Sequence, residues 1–177
     1  MDEKAKKLVC FGNSITQGWR VREDQSWPWI IQQSLPFRVI NAGISGETSL
    51  DGLRRLDSII ELEPTWCIIE FGINDFYNGF TVEQTRTNLD AIINALKEHE
   101  TRPALMGFDL REPASMPWTA MYRDLSDLYQ IPLMPDLFTG LWGEDGTFME
   151  DGLHPTAKGY QIIARNCLET FSNTLWQ

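Results

Sequence analysis

Ser14, Asp151 and His154 are the residues whose types and spacing could do nucleophilic chemistry. Ser14 stands in Gly12-Asn13-Ser14-Ile15-Thr16, where an apolar run ends. Asp151 and His154 stand in Asp151-Gly152-Leu153-His154-Pro155, a carboxylate three residues before a histidine. A serine hydroxyl is a weak nucleophile at neutral pH. It needs a base to take its proton and a third group to hold that base. The chain has 2 histidines. His99, in Lys97-Glu98-His99-Glu100-Thr101, reads as the solvated end of a charged helix. His154 has an acid beside it and apolar sequence around it. Asp151 would accept from the imidazole and fix its tautomer, and His154 would act as base toward Ser14 and acid toward the leaving group. Glu150 and Asp145 are rival carboxylates without that spacing.

Acyl transfer also needs donors aimed at the oxygen of the tetrahedral intermediate. Three candidates are the Ser14 N–H, a backbone N–H within Ser45-Gly46-Glu47-Thr48, and the Asn74 side-chain amide. Gly46 suits this because it lets backbone approach a substrate closely. Asn74 suits it because its amide offers two N–H donors without adding a charge.

The elements that must position these residues alternate between strand and helix. Strands are expected over residues 7–11, 37–41, 66–71, within 104–110, and over 131–134, the last weakened by Pro132. Helices are expected over 27–35, opened by Ser26 with Pro28 in the first turn, and over 49–62, ended by Pro64. Another begins at Thr81, where Gln84 completes a capping box, with Leu89, Ile92, Ile93 and Leu96 as its apolar stripe. Two more cover 117–129 and 156–171, the last burying Tyr160, Ile162, Ile163, Cys167, Leu168 and Phe171. This alternation implies a three-layer α/β/α sandwich around a five-stranded parallel sheet, with the flavodoxin-like order 2-1-3-4-5. Ser14 follows strand one, Gly46 strand two and Asn74 strand three, and His154 precedes the last helix. All four therefore fall on one edge of the sheet, where ligands bind in such folds.

The 177 residues suffice for one domain with a hydrophobic core, and no linker or repeat divides residues 1–177. An apolar fraction of 42% and a charged fraction of 23% are ordinary for a globular chain. A net charge of −10 argues against nucleic acid or an anionic membrane as main partner, since both need clustered Lys and Arg. No apolar run approaches transmembrane length, and the charged start does not read as a signal peptide. The 3 cysteines form no CxxC pair and are expected reduced and buried, in a cytoplasmic protein. With no Cys/His cluster, a zinc site has little to build on, and no metal or cofactor is expected.

Four blocks, in order, resemble the SGNH hydrolases of the GDSL type. They are Phe11-Gly12-Asn13-Ser14-Ile15-Thr16, Asn41-Ala42-Gly43-Ile44-Ser45-Gly46-Glu47-Thr48, Phe71-Gly72-Ile73-Asn74-Asp75 and Asp151-Gly152-Leu153-His154-Pro155. The chain is most similar to the small bacterial arylesterase, thioesterase and lysophospholipase group. The resemblance implies Ser14 as nucleophile, His154 as base, Asp151 as its orienter, and Ser14, Gly46 and Asn74 as the oxyanion hole. It implies ester hydrolysis through an acyl-enzyme without metal or cofactor. Two positions depart from the pattern. Asn13 stands where the family usually has Asp, and it is expected to be tolerated, with Asn13→Asp changing activity by about tenfold or less. Ile73 stands where close relatives often have Gly, and it is expected to narrow the pocket floor.

Substrate contacts are expected from Ile73, Phe76, Tyr77 and Leu153, within an aromatic surplus that includes Phe108 and Trp118. These favour short-acyl or aryl esters. The alternative is a non-hydrolytic module on the same fold, binding a small molecule, a flavin or a phosphorylated ligand. The stretch from Gly12 to Gly18 would then cradle phosphate, although it has neither the GxGxxG nor the Walker lysine pattern.

Overall fold

A computed structural model describes residues 6–176. The first strand, β1 (Lys7–Gly12), runs into the four-residue helix α1 (Ser14–Gln17). Helix α2 (Trp27–Gln32) follows, and strand β2 (Arg38–Gly43) leads to helices α3 (Ser49–Arg54) and α4 (Leu56–Ile60). Strand β3 (Trp66–Glu70) precedes the short helix α5 (Ile73–Tyr77) and the long helix α6 (Val82–Glu98). Strand β4 (Arg102–Met106), helix α7 (Met116–Tyr129), strand β5 (Leu133–Met134) and helix α8 (Ala157–Phe171) complete the order.

All four strand pairings are parallel, and the sheet order is β2-β1-β3-β4-β5, as expected. Central β1 and β3 are apolar almost throughout because helices cover both faces of the sheet. Helix α2 packs on α8, and α6 packs on α3 and α7. Cys10 faces Asn41 on one side and Ile68 on the other, a register that brings the carboxyl ends of β1, β2 and β3 level. Edge strand β5 tolerates Pro132 beside it, since that residue's carbonyl still accepts from Leu105 N at 2.9 Å.

The local signals hold where side chains complete them. Thr81 and Gln84 form a capping box, and Leu89, Ile92, Ile93 and Leu96 are buried. Ser26 precedes α2 but does not cap it, and its hydroxyl donates instead to Glu23 O at 2.8 Å. On α8, Ala164 joins the core, whereas Ile162 and Leu168 are only partly buried. The expected helix over 49–62 is two helices, broken at Arg55 with φ −106° and ψ 13°. Strand four ends at Met106, and Gly107 leads the chain out of the sheet.

Candidate active site

The nucleophile turn is built from glycine and asparagine. A side chain at Gly12 would press on the Thr16 hydroxyl and come within 2.7 Å of Glu70 O, so β1 must end in glycine for α1 to start there. Asn13 caps α1, its Oδ1 accepting from Ile15 N at 2.9 Å. Ser14 opens the helix and is 4% exposed. Its carbonyl accepts from Gly18 N at 3.1 Å and Trp19 N at 3.0 Å, and Gly18, at φ +85°, reverses the chain.

Ser14 Oγ lies 2.9 Å from His154 Nε2, across 140 residues of sequence. His154 Nδ1 lies 2.8 Å from Asp151 Oδ2. A carboxylate only accepts, so this contact puts the ring proton on Nδ1 and leaves Nε2 free to take the serine proton. Asp151 Oδ1 accepts from the backbone N–H groups of Leu153 and His154, each at 2.9 Å. Partial burial pushes the Asp151 carboxyl up, but these donors and the imidazole outweigh it and hold it below its ordinary value. Glu150 and Asp145 are exposed, and among the described residues the side-chain hydrogen-bond partners of the His154 ring are Ser14 and Asp151. His99 is exposed at the end of α6.

The second wall of the crevice is the loop after β2. Ile44 N donates to Gly12 O at 3.0 Å and Ser45 N to Gln17 Oε1 at 2.9 Å, tying this loop to the nucleophile segment. Gly46 has φ +83°. A side chain there would meet no protein atom within 4 Å, so its backbone conformation, not crowding, asks for glycine. Asn74 lies in α5, not in a loop, and its Nδ2 donates to Glu47 O at 2.7 Å. That bond uses one amide N–H and leaves the other available. Among the described residues no protein acceptor takes the Ser14 or Gly46 N–H. Buried Asp75 fixes α5 from behind, accepting from Ser49 N at 2.8 Å, from the Ser49 hydroxyl, and from Thr85 Oγ1 at 3.1 Å.

The expected substrate contacts divide. Phe76 is half-buried and stands edge-on to Trp118, with ring centroids 5.1 Å apart. Tyr77 is 56% exposed, and Leu153 is half-buried. Ile73 corrects the expectation. It starts α5 with its side chain turned into the core, is 2% exposed, and offers a substrate almost no surface.

Two residues of the site went unread in the sequence. Trp19 packs against His154 at a tilt of 39°, with ring centroids 4.2 Å apart, and the Arg20 guanidinium lies 4.2 Å from the Trp19 ring. Only the reversal at Gly18 brings Trp19 there, and nothing in its sequence neighbourhood announces it. Glu70 ends β3 under the nucleophile turn. It accepts from Asn13 Nδ2 and Thr16 Oγ1, both at 2.8 Å, and from Asn13 N at 3.3 Å. Burial pushes its carboxyl up to about 7 against the pull of these donors. A lone acid in an otherwise apolar strand was the available signal.

Among the described residues, no group of three or more His, Cys, Asp and Glu side chains could hold a metal ion. No helix of the described residues is long and apolar enough to cross a membrane.

Residues 10–162 match the model of the GDSL-like Lipase/Acylhydrolase family. The chain is 30% identical over 169 residues to Thioesterase 1/protease 1/lysophospholipase L1 of Escherichia coli (strain K12), covering 90% of this chain and 80% of that protein. It is 28% identical over 172 residues to an arylesterase of Vibrio mimicus, covering 92% and 86%. The crystal structure of TesA superposes with a TM-score of 0.91 at 27% identity, covering 95% of this chain and 99% of that one. The psychrotrophic esterase EstA from Pseudoalteromonas sp., inhibited by monoethylphosphonate, superposes at 0.87 with 28% identity, covering 95% and 97%.

Proposed function

The chain belongs to the GDSL-like Lipase/Acylhydrolase family and is a serine hydrolase of carboxylic esters, and we propose that Ser14, His154 and Asp151 are its catalytic triad. One observation carries this reading: the unbroken series from Ser14 Oγ to His154 Nε2 at 2.9 Å and from His154 Nδ1 to Asp151 Oδ2 at 2.8 Å. A serine that merely caps a turn or cradles a phosphate needs no such base, so the binding-module alternative is not favoured.

In the proposed mechanism, Ser14 Oγ attacks the ester carbonyl carbon while its proton passes to His154 Nε2. Asp151 stabilises the resulting imidazolium. The carbonyl oxygen becomes an oxyanion facing the Ser14 N–H, the Gly46 N–H and the uncommitted N–H of Asn74. The bond from carbon to the leaving oxygen then breaks, and His154 returns the proton to that oxygen as the alcohol departs. Water, deprotonated by the same imidazole, attacks the acyl-enzyme, and release of the acid restores Ser14.

The finer reading is a short-acyl or aryl ester, taken up in one catalytic domain. Phe76 of α5 and Trp118 of α7, edge-on to each other, support an aryl-accepting wall, as does the likeness to the Vibrio mimicus arylesterase. A cytoplasmic setting is part of the same proposal, supported by three buried, unpaired thiols, Cys10, Cys67 and Cys167.

The test is hydrolysis of p-nitrophenyl esters from acetate to decanoate, with Ser14→Ala as control, alongside labelling by a fluorophosphonate. Turnover that peaks at short chains and vanishes in Ser14→Ala is expected. Turnover that survives Ser14→Ala overturns the assignment of the nucleophile, and a peak at long chains overturns the short-acyl preference.

A further inference from the structure

Arg55 stands where helical periodicity fails. It ends α3 and precedes α4, in a conformation that interrupts a run otherwise spaced as one helix. The interruption turns its side chain inward. Arg55 Nε donates to both carboxylate oxygens of Glu47, at 3.0 and 2.8 Å, and Nη2 lies 2.7 Å from Glu47 Oε2. The same Nη2 donates to Ala42 O at 2.8 Å and, more weakly, to Gly12 O at 3.4 Å. The guanidinium lies 4.6 Å from the Phe11 ring centroid. Both partners are mostly enclosed, with side-chain exposures of 20% for Arg55 and 15% for Glu47.

The acceptors are informative because of what lies next to them. Gly12 ends β1 two residues before Ser14, Ala42 lies near the end of β2, and Glu47 follows Gly46 directly. The backbone oxygen of Glu47 is also the acceptor that holds the Asn74 amide. All three donors proposed for the oxyanion hole are therefore spaced by segments that meet at the Glu47–Arg55 pair.

We infer that Arg55 is a positioning residue that sets the oxyanion hole, holding the Gly46 and Asn74 donors in register with the Ser14 N–H through Glu47 and the two strand ends. The inference rests on the oxyanion hole proposed above. A planar guanidinium suits the task because it reaches a carboxylate and two carbonyls at once, and an ammonium does not. Donors to an oxyanion act on the transition state more than on bound substrate, so their misplacement lowers kcat and spares KM.

The experiment measures kcat and KM on p-nitrophenyl acetate, melting temperature, and amide hydrogen exchange across Ser45–Thr48. Arg55→Met is expected to lower kcat by about 10- to 100-fold with KM changed by about threefold or less. Arg55→Lys should recover part of the loss. Arg54→Gln, whose side chain is exposed and pairs with Asp51, should stay within about twofold. Exchange at Ser45–Thr48 should quicken in Arg55→Met while the β1 amides stay protected. A folded Arg55→Met with kcat within about twofold of wild type, or with unchanged exchange in the loop, overturns the inference. If Arg55→Met does not fold, Arg55→Lys decides by the same criteria. If the wild-type protein shows no Ser14-dependent turnover, the hydrolase reading fails, and the exchange measurement still tests the clamp.

Discussion

The side-chain amide of Asn13 donates to the buried carboxylate of Glu70 at 2.8 Å, directly under the nucleophile turn. Asn13 is thus a matched donor to a buried acid whose other side-chain donor is the Thr16 hydroxyl. Asn13→Asp replaces that donor with a second carboxyl, and the two can stay in contact only by holding a proton between them. Activity is expected within about tenfold of wild type at pH 6 and to fall further at pH 8. Melting temperature should drop more at pH 8 than at pH 6. Parallel assays and melts at both pH values check this, and an effect independent of pH would count against the shared proton.

Glu70 also makes stability depend on pH. Its carboxyl rises from an ordinary 4.5 to about 7 on folding, so the folded state holds a proton that the unfolded state has released between those values. The associated stability is fully present below about pH 4.5 and is lost as pH rises through about 7, an effect of up to roughly 3 kcal/mol. The titratable groups beside it, Tyr122 from α7 and Tyr160 from α8, are pushed up by their own burial and stay neutral in this range. Glu70→Gln should flatten the dependence. Asp136 is raised as well, so the comparison of wild type with Glu70→Gln isolates the contribution. Urea unfolding of both proteins at pH 5 and pH 8 measures it, and equal slopes would sink the assignment.

In the proposed triad Asp151 orients the imidazole, and it also accepts two backbone N–H groups of its own turn. Asp151→Asn keeps an oxygen for the two backbone N–H groups but turns an amide N–H toward His154 Nδ1, which allows the wrong tautomer. A fall in kcat of roughly 100- to 10,000-fold is expected, less than for Ser14→Ala. Steady-state kinetics with active-site titration would show it; a loss under about tenfold would make Asp151 a turn residue only.

Trp19 backs the proposed base. If His154 takes the serine proton as proposed, its imidazolium meets the indole ring at 4.2 Å between centroids. Trp19→Leu is expected to lower kcat by about two- to tenfold, with Trp19→Phe restoring most of it. Equal kcat for all three proteins would leave the contact without a catalytic part.

Much of the architecture was legible because it repeats local rules. Apolar runs marked β1 and β3, and the capping box at Thr81 marked α6. Where the reading fails, a long-range contact overrides the local pattern. Arg55 breaks a well-spaced helix because Glu47, Ala42 and Gly12 offer its guanidinium acceptors that the sequence does not display. Ile73 was assigned to a pocket floor, yet the start of α5 turns it into the core. At the proposed site, Ser14 and Asn74 stood out by residue type and by their place after strands, and Asp151 and His154 by their spacing before the last helix. Trp19 did not, because an indole after a glycine acquires meaning only through folded neighbours, and Glu70 offered one signal alone, an acid ending an otherwise apolar strand.

The separation of Ser14 from His154 by 140 residues also imposes a timetable on synthesis. Strand β1 and the turn that carries Ser14 leave the ribosome ahead of the histidine, which follows roughly 7–28 s later at ordinary elongation rates. In the proposed mechanism, a chain stalled before His154 carries the serine without its base and cannot cleave an ester. Hydrolytic competence therefore arrives as a late step in the making of the molecule, and its appearance reports that translation has passed the loop before α8.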